Sequence, residues 1–141
     1  MRPALLALAL VALASCGGHG TRSAEDVARS WSAALDRNDN EAAGWLFADG
    51  AKVVQNGELV LASHADAVRW NASLPCGGHI VSVTSQGATD VLVVFRLEER
   101  PQHRCDGPGG RAAAIFRVRN GKIVLWHQTA VPPPGGGGTP V

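Results

Sequence analysis

After Pro75 the spacing of apolar residues settles to a period of two, and that change limits the fold more than any other feature. Before it, apolar residues recur mainly at helical intervals, with one small hairpin between the helices. Val27, Trp31 and Leu35 fall at i, i+4 and i+8 behind a Ser23-x-x-Asp26 capping pattern. After it they alternate. Residues 79–85, 90–98, 111–119 and 122–129 read as four strands of period two. Gln86-Gly87, a long Pro- and Gly-rich loop over 99–110, and Asn120-Gly121 join them. The last junction is a strong hairpin signal, because a two-residue type I′ turn needs positive φ at both central positions and Asn and Gly tolerate it. Helices first and a meander afterwards predict an α+β fold, a curved antiparallel sheet packed on three N-terminal helices.

The first half carries the other two helices and a small hairpin. Asn38-Asp39-Asn40 breaks the first helix, and residues 41–47 form a second, carrying Trp45, Leu46 and Phe47. Two short strands, 51–55 and 58–62, flank an Asn56-Gly57 turn. Ser63-x-x-Asp66 caps a third helix with Val68, Trp70 and Leu74 inward, and Pro75 ends it. The four tryptophans, at 31, 45, 70 and 126, are mainly core, with Trp70 and Trp126 nearest a cavity.

The N-terminus carries a targeting pattern. Met1-Arg2 supplies one positive charge, residues 4–14 are an unbroken apolar run too short to span a bilayer, and Leu13-Ala14-Ser15-Cys16 follows. These four positions resemble the lipobox of bacterial lipoproteins. The resemblance implies that residues 1–15 are a signal peptide cut before Cys16, whose thiol takes a diacylglyceryl group. The chain is then expected outside the cytoplasm, lipid-anchored to a bacterial cell membrane. Residues 16–22 become a lipidated N-terminus with a short linker, residues 23–131 the domain, and residues 132–141 a disordered Pro/Gly tail.

Loss of Arg2 leaves 12 basic residues against 12 acidic ones, so the mature chain has no electrostatic footprint for nucleic acid. With Cys16 assigned to lipid, Cys76 and Cys105 remain in an oxidising compartment, where a disulfide persists. Two cysteines without a CxxC partner make a poor zinc site. Cys76 precedes one strand and Cys105 follows its hairpin partner, so both fall at the same end of the sheet.

Trp31-x-x-Ala34-Leu35-Asp36, Leu46-Phe47-Ala48-Asp49-Gly50-Ala51 and Gly121-Lys122-Ile123-x-x-Trp126-His127 complete the pattern. With the element order, they resemble the nuclear-transport-factor-2-like, or SnoaL-like, cystatin-like cone fold over residues 23–131. The resemblance implies a pocket between sheet and helices. Some members are ketosteroid isomerases, polyketide cyclases or limonene-epoxide hydrolases; others bind ligands or partners.

Overlay of the epoxide-hydrolase pattern puts Arg96-x-Glu98 in place of its Arg-x-Asp pair and Asn56 in place of its asparagine. Val54 stands where that pattern has tyrosine, and Gln128 where it has an acid. Glutamine holds a water but cannot take its proton. The isomerases use a shuttling carboxylate with a tyrosine or neutral acid as oxyanion donor, and this chain has no tyrosine. The candidate pocket is Trp70, Arg96, Glu98, Trp126, Gln128 and Asn56, with no catalytic residue, cofactor or metal assigned.

Arg96 and Glu98 also read as an ion pair near the sheet end. Burial of Glu98 among Trp70, Trp126 and Gln128 would favour an enzyme; solvation would count against one. His127 points away from Trp126, His64 opens a helix where it and Asp66 could rim a pocket, and His79 and His103 lack partners at ligand spacing. Asn71-Ala72-Ser73 matches a glycosylation sequon, which does not normally accompany such an N-terminus. The expected function is binding of a small apolar ligand or an envelope partner. The alternative is a small isomerase, cyclase or epoxide hydrolase for a hydrophobic substrate. Membrane lipid through Cys16 and a second copy meeting at the exposed sheet face complete the expected partners.

Overall fold

The computed structural model describes residues 20–135. Residues 1–15, where the sequence suggests a signal peptide, Cys16 and residues 17–19 lie outside the described residues, as do residues 136–141. The order of elements is α1 (Ala24–Asp36), α2 (Asn40–Trp45), β1 (Phe47–Val54), β2 (Glu58–Leu61), α3 (His64–Ser73), β3 (Gly77–Ser85), β4 (Asp90–Glu98), β5 (Arg111–Arg119) and β6 (Lys122–Thr129).

Each helix starts at a side-chain cap. Ser23 Oγ accepts from Asp26 N–H at 3.1 Å, Asp39 Oδ1 from Ala42 N–H at 3.0 Å and Ser63 Oγ from Asp66 N–H at 3.3 Å. Each bond satisfies one of the donors that a helix leaves free at its first turn. Asn56-Gly57 and Asn120-Gly121 take positive φ, as the hairpin signal requires.

The six strands form one sheet in the order β2-β1-β6-β5-β4-β3. All pairs are antiparallel except β1 with β6, where Phe47 pairs with Ile123 and Val54 with His127. Within the curved antiparallel sheet that the sequence predicted, this junction is the one parallel pair. β1 is also longer than expected: it begins at Phe47, where the sequence suggested helix. Leu46 O accepts from Ile123 N–H at 2.8 Å, and this ladder claims the end of the predicted second helix. Irregularities between Ile80 and Ser82 and between Arg117 and Val118 interrupt the ladders. The second lets Ile123 and Trp126 both turn inward.

The core lies between the helices and the inner face of the sheet. Trp31 sits at its centre, with ring centroids 5.3 Å from Phe116, 5.9 Å from Trp126, 6.0 Å from Phe95 and 6.3 Å from Trp70. Three of the four tryptophans are core residues. Trp45 is the exception, 59% exposed at the end of α2, because Phe47 rather than Trp45 enters the core beside β6. Gly44 lets α2 and α3 approach closely: a Cβ there would stand 2.9 Å from Val68 Cγ2 and 3.1 Å from His64 Cε1. On the outer face, Leu92, Ile115, His127 and Val54 form a half-buried row across four strands.

Candidate functional site

A cavity of about 250 Å³ opens between α1 and the inner face of the sheet. Its aromatic and aliphatic walls come from Trp31 and Leu35 on α1, Leu74 after α3, Phe95 and Leu97 on β4, and Trp126 on β6. Small residues leave the space. Ala112 and Ala114 line β5, and Gly77 and Gly78 open β3. A Cβ at Gly78 would come within 3.1 Å of the Phe95 ring. The polar lining consists of Ser32, Gln55, Gln128 and, on the loop after β4, Asp106.

Side-chain bonds fix the Trp31 wall. Its Nε1 donates to Asn71 Oδ1 at 2.8 Å, and Asn71, fully buried, donates through Nδ2 to Ala67 O at 2.8 Å. Ser32 donates to Gly78 O at 2.7 Å and ties α1 to the first residues of β3. Arg100, also buried, reaches beneath this wall. Nη1 donates to Asn71 O and Leu74 O at 3.0 and 2.9 Å, and Nη2 to Asn38 Oδ1 and Asn40 Oδ1 at 2.7 Å each. One cation thus clamps the end of α3 to the turn between α1 and α2. Burial lowers the Arg100 pKa from its ordinary value, and the charge of Asp36 opposes that shift. The Asp36 carboxyl is itself pushed up by burial, partly offset by the Gly78 N–H it accepts at 2.9 Å.

Cys76 and Cys105 are joined in a disulfide across 29 residues, with Cα atoms 4.5 Å apart. Register explains the meeting. Gly77 pairs with Glu98, so Cys76 and the loop after β4 leave the sheet at one edge. Cys76 and Asp106 line the cavity, and the bond pins the loop at its mouth. Among the described residues, the one cluster with metal-ligand geometry is Cys76, Cys105 and Asp106, and its sulfurs are consumed by the disulfide.

The structure brings two of the six candidate pocket residues, Trp126 and Gln128, to the cavity. Trp70 stands behind the wall, 5.1 Å from Trp126 between ring centroids, and Trp31 takes the lining position expected for it. Arg96 and Glu98 do not line the cavity. Phe95 and Leu97 do, and alternation turns the residues between and after them to the other face. There Arg96 Nη2 donates to Glu98 Oε1 at 2.9 Å, with both side chains about half exposed. Asn56 occupies the tip of its turn in the left-handed region at φ 52°, and its neighbour Gln55 reaches the cavity instead. His64 bonds Glu41 Oε2 at 2.7 Å, and His103 packs its Nε2 2.8 Å from Ala72 O. Asn71 is buried inside the sequon, where no glycan can reach it.

Sequence reasoning missed Asn71, Arg100 and Gln55. Asn71 lies four residues after Ala67 on the buried face of α3, the one available signal. Nothing in the sequence separates Arg100 from a solvated loop arginine.

No protein-family model and no curated protein matches this chain. Solved structures do match in fold. An NTF2-like protein of unknown function from Cytophaga hutchinsonii superposes with a TM-score of 0.63 at 12% identity, covering 79% of this chain and 92% of that one. A Sinorhizobium meliloti protein provisionally named a polyketide cyclase gives 0.62 at 18% identity, over 74% and 94%. A protein from Catenulispora acidiphila with a ketosteroid isomerase-like fold, in complex with trimethylamine, gives 0.56 at 17% identity, over 74% and 85%. With three helices packed on a six-stranded, mostly antiparallel curved sheet, the chain has the NTF2-like fold.

Proposed function

We propose that this chain is an envelope lipoprotein, anchored at Cys16, whose NTF2-like domain binds a small uncharged apolar ligand without turning it over. One observation carries the binding reading. The cavity wall is Trp31, Leu35, Leu74, Phe95, Leu97 and Trp126, its polar lining is the amides of Gln55 and Gln128, the Ser32 hydroxyl already bonded to Gly78 O and the exposed Asp106 at the mouth, and Glu98 is paired outside with Arg96. A general base must reach the proton it removes, and no carboxylate stands among those wall residues. At about 250 Å³ the cavity lies just below the roughly 300–1,000 Å³ typical of drug-sized ligand sites, which favours compact ligands.

The enzyme alternative has one foothold, the Asp106 carboxylate at the mouth. A panel of small epoxides, enones and ketones, with ketosteroids as oversized controls, separates the two. Binding should quench intrinsic tryptophan emission while product stays at background over long incubation. Turnover abolished by Asp106→Asn would overturn the binding reading in favour of a hydrolase or isomerase.

A further inference from the structure

We propose that the end of the domain carrying Trp45 rests on the anionic bilayer to which Cys16 is attached; this builds on the anchoring reading above. Trp45 is the most exposed large apolar side chain among the described residues. It does not hang free. His64 stacks on its ring with centroids 3.6 Å apart, and Lys122 Nζ donates to Trp45 O. One face of the indole is therefore covered and the ring is held in place.

Contacts join this ring to the point where the N-terminal linker enters the domain. Ile123 N–H donates to Leu46 O at 2.8 Å, which sets the β5–β6 turn against the end of α2. Arg22 packs on the same turn, 3.9 Å from the Cβ position of Gly121, and Arg119 pairs with Lys122 across it. Arg22, Arg119, Lys122 and Trp45 thus gather at one end. Nearby acids are Glu25, paired with Arg29, Asp90, paired with Arg117, Glu41, which accepts a hydrogen bond from His64, and Asp26, so Glu41 and Asp26 set two negative charges against the three cations.

Tether length orients the domain. Only six residues lead from Cys16 to Arg22, a reach of at most about 20 Å when fully extended. The end bearing Arg22 therefore stays near the headgroups. Tryptophan favours the membrane–water boundary, and Lys and Arg are drawn to anionic headgroups within a Debye length. A mature chain without net charge needs such a local arrangement to select an orientation.

The test uses mature full-length protein on vesicles of phosphatidylcholine and phosphatidylglycerol, with and without brominated acyl chains, after mass measurement of Cys16. Trp31, Trp70 and Trp126 are buried, so Trp45 is the tryptophan within reach of a lipid quencher. Brominated vesicles should quench part of the emission. Trp45→Phe should lose that component, and Arg119→Gln with Lys122→Gln should weaken it while near-UV circular dichroism stays unchanged. Lipid-modified, vesicle-bound protein with equal emission in both vesicles overturns the proposal and leaves Trp45 to a protein partner. Absence of lipid on Cys16 overturns the anchoring reading and this inference with it.

Discussion

At the scale of single residues, the buried Asn71 side chain holds the Trp31 wall of the cavity. Asn71→Ala leaves the Trp31 indole N–H without its acceptor and opens space inside α3. An unsatisfied buried donor costs about 1–3 kcal/mol, so the chemical-denaturation midpoint should fall and the near-UV dichroism of Trp31 should change. Ion pairing gives a pH signature of definite sign. Arg117 donates to both oxygens of Asp90, at 2.9–3.2 Å, and holds its carboxyl below the ordinary 3.8. The folded state then binds this proton less readily than the unfolded state. Its stabilisation is complete above 3.8 and is lost as pH falls through the lower folded value. Asp36, pushed up by burial, has the opposite sign: its contribution improves as pH falls from its raised folded value towards 3.8. Unfolding midpoints across the acid range should show Asp90→Asn removing the acid loss and Asp36→Asn removing the acid gain. Identical pH profiles for both variants and the parent would refute the assignment.

At the scale of elements, close approach and crosslinking decide what the local signals leave open. Gly44→Ala gains about 1 kcal/mol of helix propensity. Its new methyl, however, meets Val68 Cγ2 at 2.9 Å and the Val68 backbone nitrogen at 3.2 Å, and backbone cannot move aside as a side-chain tip can. Overpacking of this kind costs roughly 1–3 kcal/mol, so the variant should be less stable despite its better helix former, as a thermal melt would show. Cys105→Ser should cost about 3–4 kcal/mol, the chain-entropy value for a loop of this size. It should also raise hydrogen exchange over the loop at the cavity mouth more than in β5. The caps of α1 and α3, the Asn-Gly turns and β4, β5 and β6 were legible because their signals are local: a hydroxyl before an acidic first turn, positive φ, period two. The boundary between α2 and β1 was not. Trp45, Leu46 and Phe47 suit a helix locally, and only pairing with β6, far along the chain, turns Phe47 into a strand.

At the scale of the whole molecule, the expected behaviour of Cys16→Ala separates anchor from fold. The capped α1 begins at Ser23, so the variant should keep the thermal transition of the parent while losing incorporation of a fatty-acid analogue. Persistent label would remove Cys16 as the anchor. The sequence by itself determined the order of helices and strands, the turn positions and the α+β class, because each follows from neighbours within a few residues. It also determined that the cysteines leave the sheet together, because hairpin register carries that information. Tertiary structure alone decided which face of each strand meets the cavity, that Arg96 and Glu98 pair outside it, and that Trp31 rather than Trp70 lines it. It also buried Asn71 and Arg100 and exposed Trp45. The physical reason is the same throughout. A side chain's burial and partners depend on elements that arrive from distant parts of the chain, and period and propensity carry no record of which elements those will be.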